Sequence, residues 1–335
     1  MGTMLLGLAG EIVPPTVPAS GADIMPADSG SFWEDLVEIF IRALQRVRPD
    51  IAEAGQICLG VIALVLLFAI LEGLPSGNKL PTVLVGTVGA ATLLLGSTGA
   101  LVKLAVTTVG ELSDYGKLLI PVMTTALAAQ GGITASAALY AGSTLFNSLL
   151  SSLISGVLVP MVYIFLALSI AGRSFRDKTL SQLRGFVKWL ITWLLKTLLY
   201  IFTGYMSITG VVSGTTDAVK MKAAKLTISG MVPVVGGILS DASEAVLVST
   251  AVVRNGAGIY GILAVVSICL LPFLRIGAHY LLVKWTGAVC AVFGSGETTE
   301  LINDFAGAMG LLAAMTGAVC VMLLISIVCF LREVG

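Results

Sequence analysis

Apolar residues fall into long runs separated by short polar breaks, and the first run with a period is amphipathic. Ser31 and Glu34 have the spacing of a capping box, and Trp33, Leu36, Val37, Phe40, Leu44 and Val47 recur at helical intervals, with Glu38, Arg42 and Arg46 on other faces. The pattern predicts an amphipathic helix over 31–50, lying on a membrane surface or packed on its own protein. Residues 54–74 then form a run of about the 20 apolar residues a bilayer core requires, ended by PSGNKLP. A helix over 82–112 is rich in Gly, Ala, Ser and Thr, which let membrane helices approach closely. SDYG at 113–116 offers a cap, and an apolar stretch continues through Pro121 to the Gly pair at 131–132. The run 133–172 is too long for one span, and Pro160 predicts a bend between two helices. Later spans are expected at 189–212, 257–284 and 306–331, the last behind the acidic stretch GSGETTELIND.

The segment 226–254 breaks this pattern. It begins apolar but holds Gly230, Pro233, Gly236, Gly237, Asp241 and Glu244, and freed backbone groups and carboxylates at membrane depth need protein or water around them. It is read as a broken or re-entrant pair of half-helices. Thr215, Thr216, Asp217, Lys220, Asp241, Glu244 and Arg254 are the candidate polar lining of a passage. Asp241 and Glu244 also have capping-box spacing, which would suit the start of the helix SEAVLVSTAVV without any transport role.

Prolines suggest a duplication: the interval from Pro121 to Pro160 equals that from Pro233 to Pro272. On this alignment 82–172 and 194–284 are repeats, each a Gly-rich helix, a broken segment and a long Pro-containing helix. The helix breaks are assigned to Pro121, Pro160, Gly230, Pro233, Gly236, Gly237 and Pro272. The expected organisation is a Pro-rich leader over 1–30 read as an extended linker, the amphipathic helix over 31–50, and a polytopic domain over 51–335. The fold class is an all-α transmembrane helical bundle.

Composition removes the soluble alternatives. Of 335 residues 57% are hydrophobic and only 11% charged, and the mean hydropathy is +1.01, where soluble chains carry about 25% charged residues. Nineteen basic residues balance nineteen acidic ones, so nothing favours nucleic acid. The basic residues cluster instead: Arg173, Arg176, Lys178, Arg184 and Lys188 face a single Asp177, and by the positive-inside rule this loop is cytoplasmic. The apolar start MGTMLLGLAG has no basic flank, so a cleaved signal is not expected. Five cysteines sit in apolar runs without a CxxC pair, and the one histidine, His279, lies in LRIGAHYLL, so neither a metal site nor any cofactor is expected. No phosphate-binding loop, GxSxG or HExxH is present, and an enzyme is not expected.

The run GYMSITGVVSGTTDAVKMKAAKLTISGMVPVVGGILSDASEAVLVSTAVVRNGAGIYG at 204–261 resembles the stage III sporulation protein AE family of endospore-forming bacteria. The resemblance extends from about residue 54 to the end and is specific in this central run. It implies a multi-pass protein of the mother-cell membrane around the forespore, a subunit of a channel or secretion-like complex needed for late forespore development. It also implies partners: the other membrane and ring-forming proteins of the same sporulation operon and a secretion-type ATPase, with the lipid bilayer around them. It carries over no catalytic residue. Two rival expectations remain at this point. One is a stand-alone secondary transporter coupling ions through Asp217, Asp241 or Glu244, and the other is an assembly scaffold whose helices only anchor its partners.

Overall fold

The computed structural model describes residues 15–26, 32–72, 79–129, 133–175, 177–231, 236–293 and 296–332; within these, the side chains of 72, 79–83, 210–255, 257 and 332 are left undescribed. The described residues are all-helical apart from short turns. After a short α1 (Ala19–Ala22) come α2 (Phe32–Glu72), α3 (Lys79–Ala129), α4 (Ile133–Leu153), α5 (Val159–Phe175), α6 (Lys178–Met231), α7 (Gly236–Phe293) and α8 (Gly296–Arg332). Six stretches are long and apolar enough to cross a membrane: 32–71, 84–129, 133–175, 178–209, 258–293 and 296–331.

Contacts fix the direction of each helix. Gly60 approaches Leu93 and Gly89 meets Leu64, so α2 and α3 form an antiparallel hairpin. Gly258 packs on Leu331, Gly261 on Ile327 and Gly287 on Asn303, so α7 and α8 form another. Thr87 touches Thr298 at 3.3 Å and Gly116 touches Leu323, so α3 runs parallel to α8. Asp50 of α2 pairs with Arg275 of α7 at 2.8 Å while Ala43 and Leu263 share a small core, so those two are also parallel. Tyr205 of α6 donates its hydroxyl to the Ala138 carbonyl at 3.0 Å, and Phe146 meets Phe202 edge-on at 5.5 Å. The chain therefore passes up and down in turn, and α8, the most enclosed of the spans, occupies the centre. The α7–α8 register gives a direct prediction. In a cysteine-free background, cysteines at 258 and 331 are expected to cross-link under mild oxidation within one chain, whereas 258 with 301 is not.

Several expected boundaries are overturned. The amphipathic helix and the first span are one helix, α2, of 41 residues and with Pro49 inside it. Its expected apolar stripe divides: Trp33 is 71% exposed and Val37, Phe40 and Leu44 are also exposed, whereas Val47 is buried with Ile39 and Ala43, and Leu36 packs on the same small core. SDYG does not cap a helix; α3 continues through it and through Pro121. Pro272 likewise lies inside α7. Proline removes a single N–H, a loss that a long membrane helix packed among neighbours tolerates, so neither residue ends its helix. At Pro160 the two expected helices are joined by a π turn, Ile154–Leu158, in which the Val159 N–H reaches back to the Ile154 carbonyl. Widening by one residue accommodates the ring without breaking the rod.

The Pro-rich leader is also more than a linker. Within it α1 docks on the bundle: Gly21 lies against Ile268 and Ile24 is fully buried. The apolar start at 1–14 lies outside the described residues.

Candidate functional site

Two polar assemblies stand out among the described residues. The first forms where α5, α6 and α8 meet. Glu297, Glu300 and Asp304 recur at i, i+3 and i+7 on one face of α8, a spacing that aligns three carboxylates along a helix. Asp177 caps the start of α6, accepting from the Thr179 N–H at 2.7 Å. That cap turns the chain tightly enough for Arg173, at the end of α5, and Arg184, on the second turn of α6, to reach the same carboxylates. Arg173 pairs with Glu300, with Glu297 at 3.7 Å and with Asp304 at 3.5 Å; Arg184 pairs with Asp304 and donates to Ser181 at 3.3 Å. Both arginines and Asp304 are about 15% exposed, so each ion is largely withdrawn from water and depends on its partners.

The basic loop expected at 173–188 is thus corrected. Lys178, Arg184 and Lys188 are helical, Arg173 ends a helix, and Arg176 lies outside the described residues. Two of its cations are consumed inside the protein, leaving Lys178 and Lys188 exposed. The acidic stretch expected to precede the last span is its first turns. Phe186, Trp189 and Trp193 stack along the outer side of α6, at 5.8 and 6.0 Å between successive ring centroids, as an aromatic belt near a membrane interface would.

The second assembly is buried between α3 and α4. Asn147 Nδ2 donates to the Ser113 carbonyl at 3.0 Å, while Asn147 Oδ1, Ser143 Oγ and Tyr115 OH find no partner among the described residues. Sequence reading passed over these residues because each is a single polar residue in an apolar run. The five cysteines are free, and Cys58 and Cys269 are buried against Thr286 and Cys320. His279 Nδ1 donates to the Arg275 carbonyl one turn back at 2.9 Å, which accounts for it as a packed residue.

The predicted lining divides between two helices. Thr215, Thr216, Asp217, Lys220 and Gly230 belong to α6, and Gly236, Gly237, Asp241, Glu244 and Arg254 to α7, their side chains lying outside the described ones; Pro233 falls between the helices, also outside the described residues. The polar segment is therefore helical backbone rather than a loop. The capping reading of Asp241 fails on the backbone, because α7 begins at Gly236 and places Asp241 in its second turn.

The two polar assemblies and the predicted lining lie within one sequence family. The family model of stage III sporulation protein AE matches residues 23–332. The chain belongs to the stage III sporulation protein AE family. The match begins just after α1 and takes in the ionic cluster and every predicted lining residue, so these belong to the family's own domain rather than to an added segment. A curated relative, stage III sporulation protein AE of Bacillus subtilis (strain 168), is 22% identical over 235 residues. That alignment spans 70% of this chain and 59% of the relative. No solved structure matches.

Proposed function

We propose that this protein is a membrane-embedded subunit of the channel or secretion-like complex that joins the mother cell to the forespore and sustains late forespore development. The observation that carries the reading is family membership over residues 23–332, in a chain with six helices fit to cross a membrane. On this reading the protein sits in the mother-cell membrane, with the end bearing Arg173 and Arg184 in the cytoplasm. A secretion-type ATPase and the ring-forming proteins of the same operon are its partners, and the exposed Lys178 and Lys188 are the contacts left for them at that end. The reading requires no catalytic group in this chain, since a partner or a gradient supplies the energy. Thr215, Thr216, Asp217, Lys220, Asp241, Glu244 and Arg254 line the passage.

The test is complementation in a sporulating host whose own copy is deleted. Asp217→Asn, Asp241→Asn and Glu244→Gln are expected to lower late forespore gene expression toward that of the deletion strain while membrane levels stay normal. Normal expression from all three would remove the passage from this segment.

A further inference from the structure

The depth of charged residues on α3 does not agree with that of the helices beside it. Residues 305–331 of α8 and 133–172 of α4 and α5 contain no charged side chain. A Cβ on Gly116 of α3 would lie 2.7 Å from Leu323 and 2.8 Å from Asn147, so Gly116 sits beside the interior of both charge-free runs. Leu323 is about 12 Å from the end of its run and Asn147 about 20 Å from the start of its own, at 1.5 Å per residue. If α4, α5 and α8 cross the bilayer, this level is inside the hydrocarbon.

Asp114 and Lys117 flank Gly116, and Lys103 and Glu111 lie on the same side of the helix, within about 120° of arc at 100° per residue. Lys103, Asp114 and Lys117 are exposed, and Glu111 is half-buried. Asp114 and Lys117 pair with each other at 2.8 Å yet are 74% and 56% exposed. A charge at the bilayer centre costs at least ~2.5 kcal/mol even on the most lenient scale, and three exposed on one face with a fourth half-buried beside them are untenable against lipid.

Neighbouring elements continue the polar face. Ser20 of the docked leader donates to Glu111, and Asp23 pairs with Arg46 of α2 at 3.2 Å. Arg42 pairs with Glu38 and donates to the Met25 carbonyl at 3.1 Å. Between the leader and α2, beside the Ser20–Glu111 contact, a cleft of about 340 Å³ is lined by Asp23, Ile24, Arg42, Gln45 and Arg46. This half of α2 lies at the same depth, because Ala43 shares a core with Leu263, and nearby Gly261 touches both Leu119 of α3 and Ile327 of α8. Two charged helices with the leader wedged between them thus stand beside three uncharged ones.

We propose that Lys103, Glu111, Asp114 and Lys117 border a water-filled cleft at the depth of the bilayer core, with the charged half of α2 and the leader as its other walls. The passage of the proposed channel then includes α3, and only the use of the cleft for transport rests on that reading. The competing account is that Asp114 and Lys117 neutralise each other in lipid and snorkel.

The experiment places single cysteines at 103, 114 and 117 of the full-length, otherwise cysteine-free protein in membranes, and treats them, from each face in turn, with a charged, membrane-impermeant thiol reagent. Cysteine at 178, the exposed first residue of α6, is the aqueous reference. Cysteines at 149 and 321, replacing exposed Leu149 of α4 and Val321 of α8, are the lipid references at matching depth. Positions 114 and 117 are expected to label as completely as 178 while 149 and 321 stay unlabelled. Absence of labelling at all three α3 positions, in variants that reach the membrane at the parent level, overturns the cleft whatever sporulation shows. Labelling together with normal late forespore expression from the Asp114→Asn, Lys117→Gln double variant supports the cleft and removes its transport role, so the two failures are distinguishable.

Discussion

Replacing Arg184 with alanine is expected to destabilise the folded protein by about 3–5 kcal/mol, the usual cost of leaving one partner of a withdrawn ion pair without the other. Asp304 is held by Arg184 and by Arg173, and it shares its helix face with Glu297 and Glu300. Removing one guanidinium leaves Asp304 to Arg173, which also serves Glu297 and Glu300, in a region where water screens poorly. The expected signs are a lower membrane level and a lower midpoint when the detergent-solubilised protein is heated. Asp304→Ala added to Arg184→Ala should recover part of the loss, because it removes the stranded charge, and the coupling should be at least ~1 kcal/mol. Strictly additive losses would mean that the pair behaves like a surface contact, worth about 0–1 kcal/mol, and that the junction of α5, α6 and α8 is held by its apolar packing instead.

That junction also shows what could be read from the chain and what could not. Length and hydropathy were enough to place the apolar runs in helices, because only helices satisfy the backbone in lipid without a closed barrel. The ends of those helices were not legible. Hydropathy marks where a helix is apolar, whereas α2, α3, α6 and α7 all continue far past that point as polar helices, so SDYG and Pro121 looked like boundaries and were not. The ionic cluster was hidden for a related reason. Arg173 and Arg184 were counted as a topological mark, and Glu297, Glu300 and Asp304 as a loop, although the i, i+3, i+7 spacing of the acids was a helical signal in plain view. Their pairing brings together residues 120 positions apart between Arg184 and Asp304, and local pattern carries no information about such separations. The charged face of α3 was missed because Lys103, Glu111, Asp114 and Lys117 are ordinary at the end of a span, and become anomalous only beside the charge-free helices that pack on them.

A close helix contact at the other side of the bundle supports the second strong expectation. Gly142 of α4 lies directly beneath the Tyr205 ring of α6, so that an added Cβ would fall within the ring's own volume and 2.7 Å from its Cδ1. The ring has little freedom to yield. Its hydroxyl donates to the Ala138 carbonyl one turn away, and its face leans on Phe146 at 5.9 Å. Gly142→Ala should therefore cost about 1–3 kcal/mol, the range for overpacking a fitted interface, and Gly142→Val more. Tyr205→Leu is expected to be mildly destabilising in the parent, since it forfeits one hydrogen bond of about 1 kcal/mol, yet to rescue Gly142→Ala by making room for the methyl group. Heating midpoints of the four proteins in detergent test this directly. A harmless Gly142→Ala, or a double variant worse than either single one, would mean that α4 and α6 are not packed at this register. The placement of α6 against α4 would then have to be revised, with α6 tied to the bundle through the ionic cluster at its start, while the α2–α3 and α7–α8 hairpins rest on contacts of their own.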